Sequence, residues 1–250
     1  MTFGVPRSWR LWLAAALAGL ILAGGATHLV SQARLRERLM RADPEAILQD
    51  AELTAFAVAL GKPAYSAHCA ACHGADLTGD RVKGVPDLTD HDWLYGEGRV
   101  TDIEQTVLYG IRAANGKTRD FADMPAFASP VPYKRYAIAP LEPGDIRDVV
   151  EYLFVAAHKP GDHAAARRGA RIFADKGQCF DCHQADAKGD DAIGAPNLLD
   201  DVWLRGDGSR SDIIDTISRG LSDFCPAWAG RLSPVTIRAL AVFIRTLSQG

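Results

Sequence analysis

Two copies of the pattern Cys-x-x-Cys-His constrain this chain more than any other feature: Cys69-Ala70-Ala71-Cys72-His73 and Cys179-Phe180-Asp181-Cys182-His183. Thiols separated by two residues can each add to a vinyl group of one porphyrin, and the histidine that follows then lies beneath the iron. A redox dithiol needs no adjacent histidine, and a zinc ribbon needs further ligands at short, regular spacing. The chain therefore reads as a carrier of two covalently bound haem c groups, attached through Cys69, Cys72, Cys179 and Cys182. His73 and His183 are the expected proximal iron ligands. Haem of this type is attached outside the cytoplasmic membrane, which places both motifs in the periplasm. The fifth cysteine, Cys225, belongs to neither motif.

The motifs sit inside a longer internal repeat. At an offset of 110 residues, Pro86-Asp87-Leu88 matches Pro196-Asn197-Leu198, Trp93-Leu94 matches Trp203-Leu204, and Gly110 matches Gly220. Beyond those glycines the first copy carries an extra loop, Ala113 to Asp120, after which Met124-Pro125-Ala126-Phe127 faces Cys225-Pro226-Ala227-Trp228. A second insertion, Pro130 to Pro140, holds Tyr133, Lys134, Arg135 and Tyr136 and reads as an exposed loop or a docking surface. Apolar spacing and cap residues place helices at about Pro44–Ala67, Asp102–Ala113 (with Thr101 as N-cap) and Gly144–Ala157. Their second-copy counterparts are about His163–Lys176, Ser211–Gly220 and Pro234–Leu247. The fold class is all-α. Read in chain order, residues 45–159 and 160–250 are the two haem domains, divided at Lys159-Pro160-Gly161.

Leu11 to Val30 is an almost uncharged run. At helical rise it extends about 30 Å, the thickness of a hydrocarbon core. Arg7, Arg10, Trp9 and Trp12 suit its near interface. Residues 11–30 are expected to be a retained transmembrane anchor in a bacterial inner membrane, 1–10 its cytoplasmic N-terminus and 31–44 a linker. A cleaved signal peptide ending near Ala23-Gly24-Gly25-Ala26 is the alternative. The arginines at 34, 36, 38 and 41 would by charge count favour the cytoplasm, but the haem motifs on the same side override them. A net charge of −3 and the lack of any basic patch argue against a nucleic-acid partner.

The three-helix copies resemble class I cytochromes c. The Pro-(Asp/Asn)-Leu block with its downstream Trp-Leu, the Met-Pro-Ala-Phe loop and the anchored tandem are similar to the dihaem cytochrome c subunit of cbb-type haem–copper oxidases, over about residues 45–250. That resemblance implies an electron carrier, not a catalyst. It would take electrons from a donor cytochrome c or a quinol-oxidising complex and pass them to the oxidase catalytic subunit at the membrane. It also implies that the carbonyls of Pro86 and Pro196 accept the N–H of the proximal histidines. Trp93 and Trp203 would pack beside the haems, or serve only as core aromatics.

In chain order, Met124 is the expected sixth ligand of the first haem and Cys225 occupies that place at the second. Three readings of Cys225 stay open: thiolate ligation, a vacant or weakly held sixth position, and ligation by an unassigned histidine (His68, His91, His158 or His163). A Cys-ligated second haem also admits a different function, an enzyme oxidising a sulfur compound. A cytochrome subunit of a periplasmic dehydrogenase is a further alternative.

Overall fold

A computed structural model describes residues 7–133, 137–222 and 224–248. Those residues are helical, with isolated β-bridges and no named strand among them. The first helix, α1 (Arg7–Arg41), is 35 residues long, about 52 Å at 1.5 Å per residue. Its Trp12, Leu20, Leu22 and Leu29 are exposed. By length and composition it is the one helix among the described residues able to cross a membrane. The linker expected at 31–44 is instead largely helix. Leu35 and Leu39, one turn apart, pack on the first core, where Leu39 is fully buried. Arg38 also pairs with Asp50 at 2.9 Å and with Glu52. The apolar part of α1 thus continues as helix into the first core.

A 3-10 turn (Pro44–Gln49) precedes α2 (Ala51–His68). Asp50 separates them by accepting the Glu52 and Leu53 N–H groups, as an N-cap does. After the first motif comes α4 (Val100–Tyr109), the single turn α3 (Ala70–His73) being part of the motif itself. Thr101, expected to cap α4, lies inside its first turn. The Glu45 carboxylate accepts the Val100 and Thr101 N–H groups instead. The remaining helices are α5 (Pro143–Ala156), α6 (His163–Ala174), the motif turn α7 (Phe180–His183), α8 (Arg210–Arg219) and α9 (Pro234–Leu247).

These helices do not pair in chain order. The helix before the first motif, α2, packs against α9 at the far end of the chain, and α4 joins them. The helix before the second motif, α6, packs against α5, which precedes it, and α8 completes that group. Both crossings need a glycine. A Cβ on Gly61 of α2 would lie 2.3 Å from the Ala239 carbonyl oxygen, and one on Gly169 of α6 would lie 1.9 Å from that of Asp148. Backbones this close leave no room for any side chain.

The two cores follow the same division. One holds Leu39, Ile47, Phe56, Val100, Val107, Trp228, Leu240 and Phe243. The other holds Phe127, Tyr133, Leu141, Val149, Leu153, Phe173, Ile213 and Ile217. The second unit is therefore one continuous stretch, about residues 122–221, set inside a first unit made of about 35–111 and 225–248. The packing of the helices thus crosses the linear division at Lys159-Pro160-Gly161. That segment is the tight turn joining α5 to α6 within one unit, held by the Asp162 N–H on the Glu151 carboxylate at 2.8 Å. Of the 130–140 insertion, Tyr133 is buried in the second core. Lys134, Arg135 and Tyr136 lie outside the described residues, as do residues 1–6 of the expected cytoplasmic segment.

Candidate haem sites

Each motif closes one helical turn. The His73 N–H donates to the Cys69 carbonyl at 3.0 Å, and that of His183 to Cys179 at 2.9 Å. The i, i+4 relation puts the first cysteine and the histidine on one face. Behind the histidines, His73 Nδ1 lies 3.3 Å from the Pro86 carbonyl oxygen and His183 Nδ1 lies 3.0 Å from that of Pro196. A carbonyl only accepts, so Nδ1 carries the proton and the Nε2 lone pair is free for a metal. Burial pushes both histidines towards the neutral form, with the bond to the carbonyl opposing it. The same burial pushes Cys69 and Cys179 up to about 12.

The sixth-position straps are exchanged between the units. Met124 and Leu221 exchange backbone hydrogen bonds of 2.9 and 3.2 Å, and the Phe127 N–H donates to the Ile217 carbonyl at 3.0 Å. The end of α8 therefore holds the methionine strap, and Met124 lines the apolar cavity that contains Cys179, Cys182 and His183. In mirror fashion, Cys225 and Ile111 exchange bonds of 3.0 and 2.9 Å, and the Trp228 N–H donates to Val107 at 3.0 Å. The end of α4 holds that strap. There Trp228 packs tilted against His68, at 4.8 Å between ring centroids. The Cys225 thiol sits close enough to the first motif that charge on Cys72 adds to the burial that pushes it up to about 11.

The expected pairings are Met124 with His73 and Cys225 with His183; Met124 instead lines the cavity that holds His183, and Cys225 lies beside Cys69 and Cys72. A linear reading of a duplication hands each strap to the motif before it, and nothing in the local sequence of a strap says otherwise. The one available signal was the extra loop Ala113–Asp120, which gives the chain length to cross to the other unit.

Trp203 lines the second cavity, and Trp93 packs against the first core. Pro86, Leu94 and Tyr95 of the first unit also line the second cavity. This donor set fits a haem: paired thiols, a neutral imidazole held from behind and, at the second site, a thioether facing the same apolar space. Among the described residues no group of three or more His, Cys, Asp or Glu side chains is arranged to hold a bare metal ion.

Comparisons with known proteins agree with these features. The family model described as cytochrome c oxidase, cbb3-type, subunit III matches residues 164–244, and that described as cytochrome c matches residues 58–154. Each segment contains one Cys-x-x-Cys-His, so the chain carries two cytochrome c domains and two covalent haem c groups. It is 41% identical over 207 residues to the Cbb3-type cytochrome c oxidase subunit FixP of Bradyrhizobium sp. (strain ORS 278), covering 82% of this chain and 66% of that one. Against the FixP subunit of Azorhizobium caulinodans the identity is 40%, with coverages of 82% and 65%. Against the CcoP subunit of Cereibacter sphaeroides it is 34% over 220 residues, with coverages of 88% and 71%. The chain thus spans just under two thirds of the length of the first two of these relatives.

Proposed function

Because this chain belongs to the FixP/CcoP family of cbb3-type oxidase cytochrome c subunits, we propose that it relays electrons through two haems to an oxidase catalytic subunit. It would itself make or break no substrate bond. When bound, each haem supplies an iron that alternates between the ferric and ferrous states. The protein's part is to fix the irons' ligands and surroundings.

Cys69 and Cys72 attach the first haem, with His73 as proximal ligand and Pro86 fixing its ring; Cys179, Cys182, His183 and Pro196 do the same for the second. Met124, which lines the same cavity as His183, would supply the thioether that holds the second haem opposite that histidine. Its neutral thioether favours ferrous iron, so this haem has the higher potential. Cys225 takes the sixth position of the first haem, since its strap repeats the Met124 strap bond for bond. A thiolate there favours ferric iron and gives the lower potential. With these ligands in place, the site of His73 would be the lower-potential one and that of His183 the higher, an order that would favour passage from the first to the second. Trp93 and Trp203 border the haem edges. The donor is a cytochrome c or a quinol-oxidising complex, and both haems face the periplasm from a helix anchored in the inner membrane.

The observation that carries this reading is the interlocking of two haem sites on one anchored chain, with residues of the first unit lining the cavity of the second. The test is oxygen uptake by membranes given reduced donor cytochrome. Deleting the chain is expected to abolish it, and the intact chain to restore it. Undiminished uptake in the deletion would sink the proposal.

A further inference from the structure

Tyr95 lies in the loop between the first motif and α4, two residues after Trp93, yet its side chain faces the other unit. It is 9% exposed and lines the cavity around Cys179, Cys182 and His183. The hydroxyl end of the ring abuts Gly194. A Cβ there would fall 2.3 Å from Tyr95 Cζ and 2.6 Å from its hydroxyl oxygen, which only glycine at φ +78° avoids. The loop is pinned across the boundary by the Gly96 N–H, which donates to the Asp191 carbonyl at 3.2 Å. On the other side of the ring, Arg119 lies 4.9 Å from its centroid, and Arg119 Nε is itself held by Thr106 Oγ1 at 3.1 Å.

Everything about Tyr95 is therefore fixed except its hydroxyl, which has no hydrogen-bond partner among the described residues. The buried unpaired side-chain polar atom among the described residues is Asp123 Oδ1, so the Tyr95 hydroxyl keeps accessible surface at the cavity it lines, where a bound acceptor can meet it, as tyrosine hydroxyls beside apolar sites ordinarily do. The repeat makes the point sharper. The position equivalent to Tyr95 is Arg205, which also lines this cavity and reaches Asp215 at 3.8 Å. Tyr95 has no such acid.

We propose that Tyr95, carried by the first haem's loop, is a binding residue of the second haem. Its hydroxyl donates to the carboxylate edge of that haem, and its ring forms the contact through which the two sites touch. Haem c offers oxygen acceptors only at its propionates, so the missing acceptor is a propionate oxygen. A donor there screens the propionate's negative charge from the iron and raises the potential of the second haem. Pro86 extends the same junction: its carbonyl holds His73, and its residue lines the second cavity. The proposal rests on a haem at His183 and not on which sulfur is its sixth ligand.

The test uses the full anchored chain with both haems attached, verified by haem per polypeptide. In a Cys179→Ala background the second haem keeps one free vinyl group. Its visible band is then red-shifted, so the two potentials can be followed separately. Tyr95→Phe keeps the ring and removes only the donor. It is expected to lower the potential of the tagged haem and leave that of the first haem, whose loop carries the residue, unchanged. Tyr95→Leu is expected to lower it at least as far and to slow electron equilibration between the haems after rapid photoreduction. If Tyr95→Phe behaves as wild type at the second haem, or moves the first haem as much, the proposal is wrong. Met124→Leu in the same background tests the ligand assignment separately.

Discussion

The two haem units share a fold and differ in how the chain builds them. The second is continuous and permuted: strap, last helix, first helix, haem motif, middle helix. The first is assembled from the two ends of the sequence around it. Their joints differ as well. Between α2 and α9 the contact is apolar, with Ile237, Leu240, Val242, Phe243 and Ile244 buried. Around α5 surface ion pairs recur: Asp148 with Arg168 of α6 at 2.6 Å, Asp145 with Lys176 just past the end of α6 at 2.5 Å, and Glu151 with Arg210 of α8 at 2.6 Å. A unit closed from distant parts of a chain relies on buried area, while one closed by neighbouring helices can use short surface clamps.

The largest expected effect comes from cutting the chain after Phe224. In linear order this would damage the second haem domain. In the structure it removes α9 and the Cys225 strap from the first. Each buried Ile, Leu, Val or Phe of α9 stabilises by about 1.5–3 kcal/mol. Their sum approaches or exceeds the roughly 5–15 kcal/mol stability of a whole domain. The truncated chain is expected to keep one protease-resistant haem, on the peptide containing Cys179, and to lose the fold around Cys69. Retention of the Cys69 haem in a resistant core would overturn the exchanged architecture.

Cys225→Met sharpens the same contrast by erasing the chemical difference between the straps. It is expected to raise the potential of the first haem by a few tenths of a volt, within the roughly 0.8 V that axial ligands span, and to leave the second in place. A potentiometric titration followed by electron paramagnetic resonance reads both. If the second haem is the one that moves, the linear pairing was right.

What the sequence disclosed and what it hid divide along a physical line. The motifs, the proline partners and the repeat are local chemistry, and local chemistry is written in residue spacing. Helix α9 is found where its apolar period puts it, from Pro234 to Leu247. The partner of each helix is not local. Because the copies are similar, α5 and α9 present similar apolar faces, and either could cover α2 as far as periodicity can tell. The family models match 58–154 and 164–244 in linear order as well, since the exchange leaves each copy's residue order untouched. The capping of α4 by Glu45 was hidden for the same reason, because it depends on a contact across the fold; the break at Asp50 is a local N-cap and was legible in the sequence.

A smaller effect is expected at a largely buried ion pair of the first unit. Arg238 of α9 meets Glu104 of α4 at 2.6 Å, with both side chains 12% exposed. Removing one partner strands the other charge, so Arg238→Ala is expected to destabilise the first unit by about 3–5 kcal/mol. Arg210→Ala, which breaks an exposed clamp of the second unit, is expected to cost under about 1 kcal/mol. Denaturant unfolding followed separately at each haem compares the two. Equal costs would mean that the joints do not differ as described.

The smallest effect is on acid stability, and its sign follows from the clamps. The Lys176 ammonium holds Asp145 below the usual carboxylate range, against some opposing burial. The Arg210 guanidinium does so for Glu151, helped by the Asp162 N–H. A carboxylate with a lowered folded pKa contributes its full stabilisation above its unfolded value, about 3.9 for Asp and 4.3 for Glu. That contribution is lost as pH falls through the folded value. Both groups are solvent-facing, so each contributes under about 1 kcal/mol after screening. Lowering the pH from about 5 to about 3 is therefore expected to speed amide exchange in α5 and α6 before it does so in the middle turns of α2 and α9, which meet through apolar side chains. Molar salt at pH 5 should produce the same ordering more weakly, because it screens exposed pairs and leaves apolar burial intact. Simultaneous loss of protection in all four helices would show that the interlocked straps make the two units one cooperative structure, and that the difference between their joints is confined to the surface.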